Sequence, residues 1–320
     1  MQEFIEAINK WSFDKTPFLF LIDFEMQKPI AFRLADISPN EVMYDFNGIT
    51  NVERQHFEEE LQLQKFPQPF ADYEKRFSRV LKAIQRGDSY LTNLTVRTPI
   101  KINCSLADIF RRSKARYKIL YKDSFTVFSP ETFVKIVDGR IFSFPMKGTI
   151  DAAIPDAANV ILNDRKELAE HVTIVDLIRN DLSIVADHVT VSDFRYLEEI
   201  HTLEKKLLQV SSKIEGVIKP HLLNQLGTLI VSLLPAGSIS GAPKKKTVEI
   251  IREAENETRG YYTGICGIFD GENFDSGVMI RFIERKGEDL FYRSGGGITA
   301  LSNMKAEYQE AIDKIYVPLA

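Results

Sequence analysis

The alternation of apolar and polar positions divides the chain into strand-like and helix-like segments. Apolar runs at 17–24 and 29–37 each begin at a proline and predict strands in an N-terminal part, which KFPQPF at 65–70 separates from the rest. From Asp72 the period changes, because apolar residues then recur three and four positions apart. This spacing predicts a helix that Asp72 caps and that ends before Gly87.

Beyond this helix, predicted strands and helices are interspersed. Short strands over 124–148 contain Asp138-Gly139, a dipeptide typical of hairpin turns. Asp164 is predicted to open a helix over 165–182, and further helices are predicted at 221–234, 243–255 and 305–316. Segments 263–271 and 277–285 are predicted to form a hairpin, and a strand at 289–300 follows it. Long antiparallel strands among helices predict an α+β protein.

Composition narrows the class of protein without naming a function. The 320 residues carry a formal net charge of −4, which argues against a nucleic-acid partner. The two cysteines give neither a disulfide framework nor a metal-spaced pair. The start of the chain lacks the apolar core of a signal peptide, and its apolar runs are too short to span a bilayer. We therefore predict a cytoplasmic protein with no membrane partner. It forms one domain, 1–320, with a short N-terminal part (1–70) and a core (71–320).

Two ionisable residues stand in strongly apolar stretches. Lys147 follows the strand-like run FSFPM, and a lysine in a dry environment has a lowered pKa, so that its amine can act as a nucleophile. Glu131 in VFSPETF lies between apolar residues, where a carboxyl group can have a raised pKa and serve as a general acid. Antiparallel pairing through the predicted turn at Asp138-Gly139 permits the two side chains to meet, without requiring it.

Acidic and basic residues near the C-terminus suggest where anions and cations could bind. Glu307 and Glu310 share one face of the predicted last helix, and paired carboxylates suit Mg²⁺. An exposed helix with a Glu310–Lys314 pair is the commoner explanation, although the glycines at 295–297 permit close approach of a ligand. Arg281, predicted in mid-strand, needs an anionic partner, which could be a carboxylate of the protein or of a substrate.

Other polar clusters leave their alternatives open. Three lysines open the predicted helix at 243–255, where they either face solvent or flank a bound anion. His171 is interpreted as a satisfied polar residue rather than a ligand. A structural network, rather than catalysis, is expected of Asp176, Arg179, Asn180 and Asp181.

Taken in order, motifs between Tyr73 and Lys314 resemble those of the chorismate-utilising enzymes. The motifs are GDSYLTNLT, SPETF, PMKGT, AEHVTIVDLIRNDL, GSISGAPK, RGYYTGICG, IRF and GGGITA with EYQEAIDK. The resemblance implies the family fold, in which large antiparallel sheets pack face to face with helices outside. Among the members, PMKGT is similar to the aminodeoxychorismate synthases, whereas anthranilate synthases carry alanine in place of Lys147.

The resemblance also implies a reaction in 4-aminobenzoate and folate biosynthesis. Lys147 would add to C2 of chorismate while Glu131 protonates the departing C4 hydroxyl, and ammonia would then attack C4 and expel the lysine. The ammonia would come from a partner glutamine amidotransferase or from solution. Anthranilate synthase and isochorismate or salicylate synthase remain alternatives within the family, and a non-catalytic binding subunit is an alternative outside it.

The remaining site residues follow from the same resemblance. Glu170 and Glu310 match the family's Mg²⁺ ligands, with Glu307 acting through water, and Lys314 matches a partner of the ring carboxylate. The other matched substrate-binding positions are Gly148, Thr149, Tyr262, Arg281, Gly295 and Gly297. Gln209 departs from the pattern, because many relatives have a histidine there.

Overall fold

The structure is a computed structural model that describes residues 1–53, 55, 57, 59–201 and 206–319. Its strands are β1 (Phe18–Ile22), β2 (Ile30–Arg33), β3 (Val42–Phe46), β4 (Ile49–Thr50), β5 (Leu63–Lys65), β6 (Leu91–Ile102), β7 (Tyr117–Tyr121), β8 (Phe125–Ser129), β9 (Thr132–Val137), β10 (Arg140–Ser143), β11 (Met146–Asp151), β12 (Ala186–His201), β13 (Lys206–Ile218), β14 (Gly241–Ala242), β15 (Ile265–Phe269), β16 (Phe274–Val278), β17 (Phe282–Lys286) and β18 (Asp289–Ile298). The α-helices are α1 (Gln2–Phe13), α2 (Phe70–Gln85), α3 (Leu106–Arg112), α4 (Ala157–Asn163), α5 (Arg165–Val185), α6 (Leu226–Ser232), α7 (Gly237–Ser240), α8 (Lys244–Glu255) and α9 (Met304–Asp313).

Two antiparallel sheets carry the fold. In the described part of the chain the first sheet has the strand order β11-β13-β10-β9-β16-β15-β1-β2, with β12 also paired to β13. The second has the order β14-β6-β18-β17-β8-β7-β3-β4, with β5 also paired to β6. The N-terminal strands lie within both sheets, because β1 pairs with β15 and β3 pairs with β7.

The sheets pack face to face, and helices cover their outer faces. One core cluster joins Leu19 and Leu21 of β1 to Tyr44 and Phe46 of β3, and therefore lies between the sheets. On the outer side of the first sheet, alternate residues of β1 pack with α1, α5 and α6, while α2, α8 and α9 pack on the second sheet. Burial on both faces explains why β1 reads as a continuous apolar run. The predicted α+β fold of the family is confirmed.

Several predicted elements have different bounds or had not been predicted. The helix expected to begin at Asp72 begins at Phe70, after Pro69, so Asp72 lies in its first turn. The helix expected at 221–234 is a 3₁₀ turn followed by the shorter α6. The predictions did not include α1 or the long hairpin of β12 and β13. Among the described residues, no helix is both long and apolar enough to cross a membrane.

The segment predicted as one strand at 277–285 changes sheets in its middle. β16 ends at Val278 in the first sheet and β17 begins at Phe282 in the second, so the predicted position of Arg281 within a strand is wrong. Arg281 has a φ of 54°, a left-handed conformation that is strained for a long side chain. An alternating pattern cannot reveal this crossing, because both strands are apolar. The crossing places the guanidinium close enough to Glu131 to act on its carboxyl group.

Candidate active site

A cavity of about 120 Å³ lies among the ends of β9 and β11, helix α5 and the turn around α7. Glu131, Lys147, Glu170 and Gly297, all predicted from the sequence, line it. Apolar side chains of α5 and β9 form much of the remaining wall. The predicted turn at Asp138-Gly139 is confirmed, since β9 and β10 pair through it, and it helps to bring Glu131 and Lys147 to the same cavity.

A β-bulge presents Lys147. The pairing of β11 with β13 is regular at Met146–Ser211 and again at Thr149–Gln209, so two residues of β11 oppose one residue of β13 between these pairs. Gly148 within the bulge has a φ of 95°, a conformation that favours glycine. A Cβ atom at this position would lie 3.0 Å from Oε2 of Glu167. A bulge re-aims the side chains of a strand, and this one directs the Lys147 amine toward α5.

The amine of Lys147 is ion-paired. Its Nζ atom lies 2.7 Å from Oε2 of Glu170, which also accepts an ion pair from Lys166 at 3.7 Å through its other oxygen. Burial alone lowers the pKa of Lys147, but the negative charges of Glu170, Glu310 and Glu167 outweigh it and the pKa is raised. The lowered pKa expected from the sequence is therefore wrong for this arrangement. The reason is that the opposing carboxylates come from distant helices.

Glu131 is a buried acid with one hydrogen bond in place. Burial raises the pKa of its carboxyl group, as predicted. The hydroxyl of Ser238 donates to Oε1 of Glu131 at 2.6 Å and lowers the pKa, as do the positive charges of Arg281 and Lys314. Burial has the largest effect on this carboxyl group, so its pKa is raised overall.

Two helices bring carboxylates to the mouth of the site. Asp164 caps α5 by accepting from the Glu167 amide at 2.9 Å, and Glu167 and Glu170 occupy the first two turns. On α9, Glu307 and Glu310 have the same spacing of three residues. The carboxyl of Glu307 has a raised pKa, mainly because it is buried, and the negative charge of Glu310 adds to this effect.

Lys314 lies between α9 and β18. Its Nζ atom lies 2.6 Å from Oε1 of Glu310 and donates to the Gly295 carbonyl at 3.0 Å. Burial raises the pKa of Glu310, but Lys314, Lys147 and Lys166 together lower it. The side chains of Glu307, Glu310 and Lys314 all approach Gly296, where a Cβ atom would lie 3.5–3.7 Å from their polar atoms. The run of glycines thus leaves room for these three side chains.

The glutamates provide the type of ligand atom that a hard cation prefers. Carboxylate oxygens are the ligands that Mg²⁺ prefers, and Glu170, Glu307 and Glu310 all act electrostatically on or with Lys147. Glu170 and Glu310 form ion pairs with lysines, and a bound cation would have to replace these contacts. Within the described ranges, no three acidic, histidine or cysteine side chains are already arranged to hold a metal ion.

Arg281 and Tyr262 do not line the cavity, but Arg281 is close enough to both Glu131 and Tyr262 to lower their pKa values. The Arg281 guanidinium stacks over the Tyr316 ring at 5.2 Å, and its Nε atom is buried with no hydrogen-bond partner in the described part of the chain. Tyr262 is buried, and burial raises its pKa to about 12. A guanidinium with an unsatisfied N–H suits an anionic ligand.

Other predicted positions lie outside the cavity wall. Thr149 is exposed, and opposite it lies Gln209, the residue that replaces the family histidine. The first lysine of the basic helix, Lys244, donates to the Leu233 carbonyl and pairs with Asp181 at 2.8 Å. The two alternatives predicted for the lysines of this helix, a solvent-facing position and the flank of a bound anion, did not include such an ion pair. His171 has hydrogen-bond partners on both ring nitrogens, as predicted.

Sequence reasoning missed two residues that the fold brings to the site. Glu167 lies three residues before Glu170 and so repeats the spacing of Glu307 and Glu310, a signal that was available in the sequence. Ser238 contacts the buried acid and lines the cavity, but nothing in the pattern around it distinguishes it from a loop serine.

A buried acid and a lysine that line one cavity, with further glutamates acting on that lysine, are typical of an enzyme that acts on a small anionic molecule. The chain belongs to the family of chorismate binding enzymes, whose model matches residues 3–320. Over 319 residues it is 49% identical to an uncharacterized PabA-like protein of Haemophilus influenzae, covering all of this chain and 97% of that one.

Relatives with named activities are more distant. The aminodeoxychorismate synthase component 1 of Salmonella typhimurium is 31% identical, over 76% of this chain and 56% of its own length. Among solved structures, the anthranilate synthase component I of Streptococcus pneumoniae superimposes with a TM-score of 0.67 at 26% identity, over 80% of this chain and 58% of that one. The chain is therefore similar both to an aminodeoxychorismate synthase component and to an anthranilate synthase component.

Proposed function

We propose that the protein converts chorismate and ammonia to 4-amino-4-deoxychorismate through a covalent adduct on Lys147. The observation that carries the proposal is the position of this amine, which lines the same cavity as the buried acid Glu131 and lies 2.7 Å from Glu170. As noted in the sequence analysis, the anthranilate synthases that this chain resembles carry alanine in place of Lys147. A lysine amine can supply the first nucleophile, whereas alanine cannot.

The side chains suit two successive displacements. Lys147 must first lose a proton to water in the site, because the amine is held as a cation by its ion pair with Glu170. The free amine then forms a bond to C2, the ring double bonds shift, and the C4–O bond breaks as Glu131 gives its proton to the leaving hydroxyl. Ammonia adds at C4, the double bonds shift back, and the C2–N bond breaks to release the amine of Lys147. The net change exchanges hydroxyl for amine.

Positive groups at two ends of the site suit the two carboxylates of chorismate. Arg281, with its unsatisfied Nε, and Tyr262 would bind the enolpyruvyl carboxylate, while Lys314 would bind the ring carboxylate. Backbone groups of Gly148, Gly295 and Gly297 are proposed to line the same ligand, whereas the exposed Thr149 is left out of this proposal. Lys147 and Glu131 would then lie on either side of the ring.

Mg²⁺ is the proposed cofactor. Glu170 and Glu310 would hold it directly and Glu307 through water, and the fold adds Glu167 to this group. The ion would supply positive charge beside the ring carboxylate. The partner is proposed to be a glutamine amidotransferase that delivers ammonia, in keeping with the PabA-like name of the Haemophilus influenzae relative.

The product decides among the family's reactions. The protein is incubated with chorismate, Mg²⁺ and an ammonium salt, and the products are identified by mass spectrometry. Aminodeoxychorismate is the expected product. Anthranilate with pyruvate, or isochorismate or salicylate, would instead assign the protein to another reaction of the same family, and no conversion at all would favour a binding subunit.

Substitution of Lys147 tests the covalent step. We expect Lys147→Ala to lose turnover by about 10³-fold or more, because no other group can form the C2 bond, while chorismate still binds. Lys147→Arg is the matched variant, since it keeps the charge beside Glu170 but has no nucleophilic amine at neutral pH. Turnover and chorismate affinity are measured for both. Full turnover in either variant would remove the lysine adduct from the mechanism.

Substitution of Glu310 tests the metal site. We expect Glu310→Gln to abolish Mg²⁺-dependent turnover and to weaken Mg²⁺ binding measured by calorimetry, because an oxygen ligand loses its charge. Glu249→Gln, on the exposed side of α8, serves as the control and should change neither quantity. An unchanged Mg²⁺ affinity in Glu310→Gln would exclude Glu310 from the metal site.

A further inference from the structure

A buried chain of hydrogen bonds lies behind Lys147 and connects three strands with α5. Nδ1 of His171 is 3.3 Å from the carbonyl oxygen of Lys147, and Nε2 is 2.7 Å from the hydroxyl of Ser212. The backbone N–H of Arg195 donates to the same hydroxyl at 3.0 Å. The side chains of His171 and Ser212 are fully buried. The chain thus runs from β12 through β13 and α5 to the bulge of β11.

The partners identify the tautomer of the neutral ring. A carbonyl oxygen only accepts, so Nδ1 of His171 must carry a proton. The hydroxyl of Ser212 accepts from the Arg195 amide and has its own hydrogen free to donate to Nε2. The ring therefore satisfies all its partners as the Nδ1–H tautomer, with Nε2 as the acceptor.

The carbonyl that His171 holds belongs to the irregular part of β11. Regular pairing with β13 stops at Met146 and resumes at Thr149, so the ladder does not fix the peptide of Lys147 and Gly148. On α5, the two consecutive residues Glu170 and His171 contact opposite ends of Lys147. Glu170 binds the amine at 2.7 Å and His171 binds the carbonyl.

We propose that His171 is a positioning residue for Lys147, and that it acts as the Nδ1–H tautomer, which the Lys147 carbonyl requires and the Ser212 hydroxyl accommodates. The Nδ1–H group holds the peptide of the bulge, so that the side chain leaves the backbone toward Glu170 and the cavity. This assignment rests on the proposed function only in that Lys147 is taken as the reacting group. The hydrogen-bonded chain itself does not depend on which chorismate reaction takes place.

Two amide substitutions separate the two ring nitrogens. The side-chain nitrogen of Asn reaches the place of Nδ1, so His171→Asn keeps a donor for the Lys147 carbonyl. The longer Gln reaches the place of Nε2, so His171→Gln keeps only the contact with Ser212. We expect His171→Gln to lose about 10- to 100-fold in kcat with little change in the KM for chorismate, because a displaced reacting group is costly. His171→Asn should retain kcat within a few-fold of the parent protein.

Nitrogen-15 NMR of histidine-labelled protein tests the tautomer without reference to activity. The His171 signals are identified among the five histidines by their loss in His171→Asn. We expect a protonated Nδ1 and a bare Nε2, and Ser212→Ala should retain this tautomer, because the Lys147 carbonyl still requires a proton on Nδ1. A protonated Nε2 in the parent protein would overturn the proposal, and so would equal kcat losses in His171→Asn and His171→Gln.

Failure of the proposed function has a different signature. If the product assay yields anthranilate or isochorismate, the role of Lys147 in amination is wrong, yet the NMR result still reports whether His171 holds the bulge. If NMR shows a protonated Nε2 on His171 while aminodeoxychorismate is formed, the positioning role of His171 is wrong but the proposed function is not affected.

Discussion

At the scale of single residues, the site depends on ionisable groups whose neighbours come from distant parts of the chain. Lys147 and Glu131 were recognisable because each is a charged residue in an apolar stretch. The direction of the Lys147 pKa was not recognisable, because the carboxylate that raises it lies on α5 and meets the amine only in the folded protein. Ser238 was missed for the same reason, since its partner Glu131 is 107 positions away in the sequence.

The hydrogen bond from Ser238 to Glu131 leads to a prediction about pH dependence. Under the proposed function Glu131 acts in its protonated form, so kcat/KM should fall as the pH rises through its pKa. Ser238 stabilises the carboxylate and thereby lowers this pKa. We expect Ser238→Ala to raise the pKa further, which moves the falling limb of kcat/KM to higher pH, and to reduce kcat by about 10-fold because a transition-state contact is lost.

The control for this prediction lies on the same short helix. The hydroxyl of Ser240 is buried and donates to the Ala236 carbonyl, without contact with Glu131. Ser240→Ala should leave the limb where it is, and Ser238→Thr should restore it. If Ser238→Ala and Ser240→Ala have the same pH profile, Ser238 does not act on the acid.

At the scale of elements, the starts of α5 and α2 differ in how well the sequence predicted them. The beginning of α5 was predicted correctly, because Asp164 has a cap signal followed by a regular apolar stripe. The same reasoning failed for Asp72, because a helix can begin without a side-chain cap and Pro69 precedes it. The bulge of β11 could not be predicted, since its register depends on β13, about sixty residues further along the chain.

The cap of α5 has a measurable consequence. Asp164 accepts from the Glu167 amide, in the turn that presents Glu167 and Glu170 to the site. We expect Asp164→Ala to lower the free energy of unfolding by about 1 kcal/mol, the usual effect of losing a cap. Fraying of this turn should also lower turnover a few-fold. Urea unfolding and steady-state kinetics measure the two effects.

Asp164→Ser is the matched variant, because serine is also a good cap. It should remain close to the parent protein in both measurements. Equal stability of Asp164→Ala and the parent protein would show that the observed hydrogen bond does not contribute to the helix start.

At the scale of the whole molecule, the site exists because two sheets and their outer helices meet. The α+β class and most helices could be predicted from periodicity, since each element has its own apolar pattern. The pairing of strands far apart in sequence could not, and neither could the change of sheet at Arg281, because apolar strands in both sheets look alike. N-terminal strands complete both sheets, as the pairs of β1 with β15 and β3 with β7 show.

A buried ion pair connects α8 with the second sheet. Glu255, at the end of α8, accepts from the Thr95 amide of β6 at 2.8 Å and forms two bonds with the Arg259 guanidinium, at 2.6 and 2.9 Å. Arg259 also donates to the carbonyl oxygens of Ile239 and Asn93. Both ionic side chains are almost completely buried, at 1% and 0% exposure, so each depends on the other for its charge balance.

Removal of one partner should therefore be far more harmful than removal of both. We expect Glu255→Gln to lower the free energy of unfolding by about 3 kcal/mol or more, because the Arg259 charge is left buried without a counter-ion. The double variant Glu255→Gln with Arg259→Met should recover a large part of this loss. Glu249→Gln on the same helix changes only an exposed pair and should have no measurable effect. Urea unfolding of the four proteins gives the comparison. A double variant less stable than Glu255→Gln alone would show that the hydrogen bonds of Arg259 to β6 and α7, rather than charge balance, hold α8 against the sheet.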